Sequence, residues 1–251
     1  MRRVFKAGIF VFLGVVCVDH SFAQAVMPIE VSGASLQEMD SVINLSELMR
    51  HKRLPYRYEK EALVALSHFP ELRNTRVKFR MKKSFSTLET RPGFLSMFMP
   101  RGHRSYVITI STKTIDKLTS LTLKNLPEMA KIGVIGHELS HVADFSSRTF
   151  WQSFKIALGH TSPSYLDSLE FNTDKICIQH GLGKELEVWS SYIRETMHTQ
   201  YWRGADFVNK GDTRYERYMN PSTIEKYLLA ERQKASSTPV NALWPNALRL
   251  F

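Results

Sequence analysis

Cysteine is nearly missing from this chain: Cys17 falls in the first apolar run, and Cys177 stands alone within Ile176-Cys177-Ile178. No disulfide framework can form, and Cys177 reads as a buried thiol in an apolar pattern. Long hydrophobic runs are missing too. The uncharged, mostly apolar stretch from Ala7 to Val18 is about twelve residues long, well short of the ~20 a helix needs to cross a bilayer. Internal repeats, low-complexity segments and a Gly-rich phosphate loop are all lacking; Gly181-Leu182-Gly183 is too short for such a loop and reads as a helix stop. No Ser/His/Asp signature competes as a catalytic set. Acidic residues are in deficit, 24 against 34 basic ones, for a net charge of +10. With 43% hydrophobic residues and 11% aromatics, that charge belongs to a globular chain and not to a disordered basic arm.

The first 25 residues have the order of a secretory signal. Arg2, Arg3 and Lys6 supply a positive start, Asp19 and His20 end the apolar run, and Ala23-Gln24-Ala25 offers small residues for cleavage after Ala25. Val16 is too large for lipidation at Cys17. Cleavage would lower the net charge from +10 to +8 and leave residues 26–251, long enough to bury a sizeable core. The expected location is therefore exported, periplasmic or secreted, with no transmembrane span after signal removal. Nucleic acid is not an expected partner there, and the basic surface allows weak association with an anionic envelope surface.

Periodicity divides the remainder. Residues 35–50 and 57–69 have helical spacing, and Pro70 stops the second of these. From residue 75 the period becomes two: Val77, Phe79 and Met81 alternate with Lys78, Arg80 and Lys82, as in a half-buried strand with a basic outer face. Strands are also expected at 94–99, after the Pro92-Gly93 turn, and at 104–111. Beyond 112 the pattern is nearly all helix. One helix starts near Leu126-Pro127-Glu128, with Asn125 as N-cap, and runs to about Phe145. Others are expected at 148–158, 163–180, 184–200 and 222–234. Leu243-Trp244 and Leu248–Phe251 in the tail offer apolar groups to dock on the core. The expected fold class is α+β, a small mostly antiparallel sheet followed by a helical half. The domain is a single one, an α/β part over 26–124 and a helical part over 125–251.

The chemistry concentrates in Gly136-His137-Glu138-Leu139-Ser140-His141-Val142. On a helix, His137 and His141 lie one turn apart on one face, so both imidazoles reach one ion. Neutral imidazole nitrogen is a good zinc ligand, and the expected cofactor is Zn2+. Glu138 is offset by about 100° and borders the site as a general base rather than a ligand. A catalytic zinc commonly takes a third protein ligand and keeps one open position. Asp144, His160, Glu170, Asp174, His180 and Glu185 are the candidates. Glu170 and Asp174 stand out because they are themselves one helical turn apart. Glu170 can reach the ion while Asp174 accepts a ring N–H from one of the histidines.

His137, Glu138 and His141, with Glu170 and Asp174 downstream, resemble the gluzincins, the thermolysin-like class of zinc metallopeptidases. The resemblance covers about residues 104–183; residues 26–100 match no family pattern, and no large helical insertion of the thermolysin group is present. It implies a zincin-like active-site helix at the junction of the two parts, Glu170 as third ligand and Asp174 as the carboxylate orienting a histidine. It also implies that the strand at 104–111 is the edge on which an extended substrate lies. The activity implied is a metal-dependent peptidase acting on peptide or protein, with the oxyanion stabiliser to be sought among His180, His198, Tyr201, Arg203, Tyr215 and Tyr218. Two other readings remain open: a zinc hydrolase for a non-protein amide such as cell wall, and a non-enzymatic envelope protein with a structural or lost metal site.

Overall fold

A computed structural model describes residues 45–93, 96–149, 152, 162–204 and 216–237 of the chain. The expected leader, most of the 35–50 helix, nearly all of the 148–158 helix and the tail after 237 lie outside the described residues. The described part is mixed α/β. It has a four-stranded sheet, five helices of nine residues or more, and a further helical turn at 45–49.

The strands are β1 (Lys52–Arg53), β2 (Arg76–Lys82), β3 (Leu88–Pro92) and β4 (Ser105–Ser111), in the spatial order β1-β2-β4-β3. β1, β2 and β4 run parallel, and only β3 is antiparallel to its neighbour. The sheet is therefore mixed, where a mostly antiparallel one was expected. Alternation with period two reports which face a side chain takes, and says nothing of strand direction. Direction came from connections, including the helix α1 (Glu59–Ser67) that returns the chain from β1 to β2.

Two further expectations on the sheet fail together. The strand expected at 94–99 is instead at 88–92; Pro92-Gly93 closes it, and 96–98 forms a tight helical turn. The strand at 105–111 is not an edge, because β3 pairs along its outer side. Tyr106, Ile108 and Ile110 are fully buried, and the edge strands of the described sheet are β1 and β3.

α1 begins at Glu59, two residues later than expected, because Arg57 adopts a left-handed conformation (φ 72°) that no helix continues. The long helix α2 (Glu128–Ser147) also starts late. Pro127 occupies its N-cap, and Asn125 turns back to donate from Nδ2 to the Thr119 carbonyl at 2.8 Å. α3 (Pro163–Cys177) and α4 (Gly183–Met197) are separated by a wide turn, Ile178–Leu182. Gly181 sits in that turn at φ 82°, which a residue with a Cβ adopts only under strain. α5 (Pro221–Ser237) closes the described chain.

α2 is the hub. It packs against α4 over most of its length and also touches α1, α3 and β3. Every residue from Gly133 to Val142 is buried, as expected only for a helix enclosed on all sides. Such enclosure needs close approach. A Cβ on Gly133 would collide with the backbone carbonyl of Glu185 at the start of α4, and one on Gly136 would stand 2.5 Å from Leu182 Cδ1. Behind β1, Lys52 Nζ donates to the carbonyls of Leu72 (2.8 Å), Thr75 (2.9 Å) and Arg73 (3.0 Å), tying the turn after α1 to the sheet.

Gly133→Ala is expected to destabilise the protein by about 1–3 kcal/mol through overpacking, despite alanine's better helix propensity. Gly102→Ala, with nothing within 4 Å of the added methyl, is expected to be near neutral. Urea unfolding of both variants measures the difference.

Candidate metal centre

α2 places His137 and His141 on one face, and α3 brings Glu170 against them. His137 Nε2 lies 3.1 Å and His141 Nε2 3.2 Å from the same oxygen, Glu170 Oε2. The three ligand atoms lie within 4.8 Å of one another. His137 and His141 are buried, and Glu170 is partly so.

Which atoms carry protons follows from the outer contacts. Asp174 accepts the Met219 backbone N–H on Oδ2 at 2.7 Å and faces His137 Nδ1 with Oδ1 at 2.8 Å, so Nδ1 is the protonated nitrogen of that ring. Thr173 donates its hydroxyl to the Leu169 carbonyl at 2.9 Å, leaving a lone pair toward His141 Nδ1 at 3.1 Å. His141 therefore also carries its proton on Nδ1. In both neutral rings Nε2 then presents a lone pair to the Glu170 carboxylate. Three acceptors converging in a buried place repel one another unless a proton or a metal cation stands between them. The donor set of two imidazoles and one carboxylate suits a divalent transition metal. These residues fit a metal ion.

The electrostatics have the same sign. Burial by itself lowers His137, but the bonds to Asp174 and Glu170 outweigh it and hold the imidazole well above its ordinary value. Burial by itself raises Glu170, and the two imidazoles outweigh it, holding the carboxyl well below the usual range. A place that favours imidazolium this strongly favours other cations.

Glu138 points to the same region from the next face of α2. Burial raises its carboxyl above the ordinary value, only partly offset by His141 and His137. Thr90 on β3 donates to Glu138 Oε2 at 2.7 Å and lies 3.1 Å from the Glu138 carbonyl. The edge strand thus touches the carboxylate directly. An aromatic wall backs His137: Trp189 and Tyr218 have ring centroids 5.5 and 5.6 Å away. Burial and then the nearby Glu170 and Glu138 carboxylates push the Tyr218 hydroxyl well above its ordinary value. The segment bearing Tyr218 and Met219 is anchored by Arg194, which donates to Asn220 Oδ1 at 2.6 Å and to the Tyr218 carbonyl at 3.0 Å.

The other sequence candidates stand elsewhere. Asp144 pairs with Arg148 at 2.8 Å. His180 stacks on Phe69 at 4.3 Å and contacts Glu71 Oε1 at 2.8 Å. Glu185 is absent from the cluster and opens α4, whose backbone presses on Gly133. Arg203 is committed to Asp167 through both carboxylate oxygens, at 2.6 Å each, and His198 and Tyr201 are exposed. His160 and Tyr215 lie outside the described residues. Thr90, Thr173 and the Met219 backbone were not anticipated. Thr173 had a signal, lying three residues from Glu170 and next to Asp174 on one helix; Thr90 and Met219 had none, being distant in sequence.

No protein-family model, curated protein or solved structure matches this chain.

Asp174→Asn is expected to weaken divalent-metal affinity by about 10- to 100-fold, because it loosens the orientation of His137, whereas Asp144→Asn leaves affinity unchanged. Chelator competition reads both. Metal affinity is also expected to fall on acidification, since binding must displace the proton that raised His137 otherwise holds. By the same linkage, that proton stabilises the metal-free protein fully below the unfolded histidine value of ~6.5 and is lost as pH rises through the raised one. Metal-free protein should therefore lose melting temperature with rising pH over that window, and metal-loaded protein should not.

Proposed function

We propose that this chain is an exported zinc-dependent peptidase of the gluzincin kind, in which His137, His141 and Glu170 hold the metal and Glu138 is the general base. The observation that carries the reading is the convergence of two Nε2 lone pairs on one Glu170 oxygen, with Glu138 beside them. Zinc is the metal we propose because it accepts two neutral imidazoles and one carboxylate and keeps a fourth position open in catalytic sites.

Zinc at this place would supply a Lewis acid that polarises an amide carbonyl and acidifies water. The protein's own groups do the rest. Glu138, raised by burial, takes a proton from water and returns it to the leaving amine. Thr90 holds one Glu138 oxygen and leaves the other for that water. Asp174 and Thr173 hold the two imidazoles with Nε2 inward. Tyr218 is the best-placed oxyanion donor among the aromatic and basic candidates, because it stays protonated and lies near both carboxylates. The open edge of β3, which reaches Glu138 through Thr90, is the strand on which an extended peptide can pair.

The test is metal content together with hydrolysis. Wild type is expected to hold about one zinc per chain and to cleave unfolded protein. Glu138→Gln should keep the zinc and lose activity by at least ~100-fold. Turnover surviving in that variant would remove Glu138 from its role, and wild type without zinc would remove the metallopeptidase reading.

A further inference from the structure

Arg104, the residue just before β4, is buried, with 5% of its surface exposed. Its partners are neutral. Nε donates to the Met99 carbonyl at 3.1 Å, and Nη1 donates to the Arg148 carbonyl at 2.8 Å, where α2 ends. A guanidinium carries five N–H groups, and these carbonyls take two of them. No carboxylate among the described residues pairs with it. Asp144, in the last turn of α2, is taken by the Arg148 guanidinium at 2.8 Å. The other two buried arginines among the described residues, Arg203 and Arg217, share the Asp167 carboxylate. Arg104 is the exception, since a buried charge ordinarily has an opposite one beside it.

Two residues on, Tyr106 is 1% exposed, and its buried hydroxyl makes no hydrogen bond. Burial pushes that hydroxyl above its ordinary value and Arg104 offsets part of the push, so the guanidinium stands beside it. The phenol therefore keeps its proton at neutral pH. An Arg104 N–H turned onto the hydroxyl oxygen would still leave the O–H without an acceptor. The recess thus holds donors in excess and a positive charge, with no group of the protein to receive either. Water could take the hydrogen bonds but would leave the charge. A small anion takes both. The place lies at the end of the helix that carries His137 and His141, apart from the ligands themselves. Arg148 is seven residues, about 10 Å, beyond His141, and Phe145 between them lies against the His141 ring at 5.6 Å.

We propose that Arg104 and Tyr106 bind a small monovalent anion, chloride by size and charge, which clasps the start of β4 to the end of α2. The burial of both residues argues against a ligand with a chain attached, such as a peptide carboxylate.

Chloride is the probe. The full chain is melted at fixed ionic strength while chloride replaces gluconate, a much larger anion. The series is run with zinc and again with a chelator, which separates an effect of chloride on the metal. Wild type is expected to gain about 3–6 °C, saturably, once chloride reaches about ten times its dissociation constant. Tyr106→Phe is expected to be at least as stable as wild type in gluconate, having lost a buried hydroxyl with no partner, and to show less than half the wild-type rise in chloride. Arg104→Gln is expected to show no rise. Arg101→Gln, which removes an exposed cation close by in sequence, should keep the full rise. Tyr106→Phe carries the test if Arg104→Gln does not fold. No rise in wild type, a rise seen only with zinc, or a Tyr106→Phe variant as sensitive to chloride as wild type would each overturn the proposal. None of these readouts involves hydrolysis, so their failure and that of the peptidase reading are distinguishable.

Discussion

Two imidazole nitrogens and one carboxylate oxygen face one another inside a packed core, and most of the surrounding architecture serves to hold them there. With neither a proton nor a metal ion between them, these groups would separate or rotate toward water. They cannot, because each outer atom is already engaged. His137 is tied through Asp174 to the Met219 backbone, and His141 through Thr173 to the Leu169 carbonyl. Burial makes each of these bonds expensive to lose, since an unpaired polar group there costs about 1–3 kcal/mol. The result is a place organised for a cation before any cation arrives, the arrangement that precise metal binding requires.

The same constraint explains the backbone around it. A helix that must offer ligands from its middle, with Gly133 to Val142 enclosed, has to be approached closely from several sides. Gly133 and Gly136 give up helix propensity so that α4 and the turn before it can come near. The left-handed Gly181 lets the chain leave α3 and enter α4 within a few residues, so that one helix supplies Glu170 and Asp174 while the next seals the far side of α2. The sheet completes the enclosure on its inner face and reaches the centre through Thr90. Its outer face carries the exposed basic residues of β2.

Much of this was legible because it is local. Spacing along a helix made His137, Glu138 and His141 a group and drew attention to Glu170 and Asp174, and the alternation at 76–82 identified a strand with one basic face. Helix ends were legible where glycine or proline marks them, as at Pro70 and Gly181. Ends set by backbone conformation were not: Arg57 and His198 adopt left-handed angles with no sequence cue, and they place the start of α1 and the end of α4. Asn125 is a good capping residue that instead bonds the preceding turn.

What the sequence determined by itself was therefore the set of chemical groups and their spacing within single elements, because 3.6- and 2-residue periods map directly onto faces. What only the tertiary structure decided was how elements meet. Strand direction, the insertion of β4 between β2 and β3, and the transfer of the free edge to residues 88–92 depend on connections whose path no periodicity encodes. The same is true of Thr90 beside Glu138 and of Met219 behind Asp174. Those contacts join residues 48 and 45 positions apart, and their existence rests on packing a shared core rather than on any pattern along the chain.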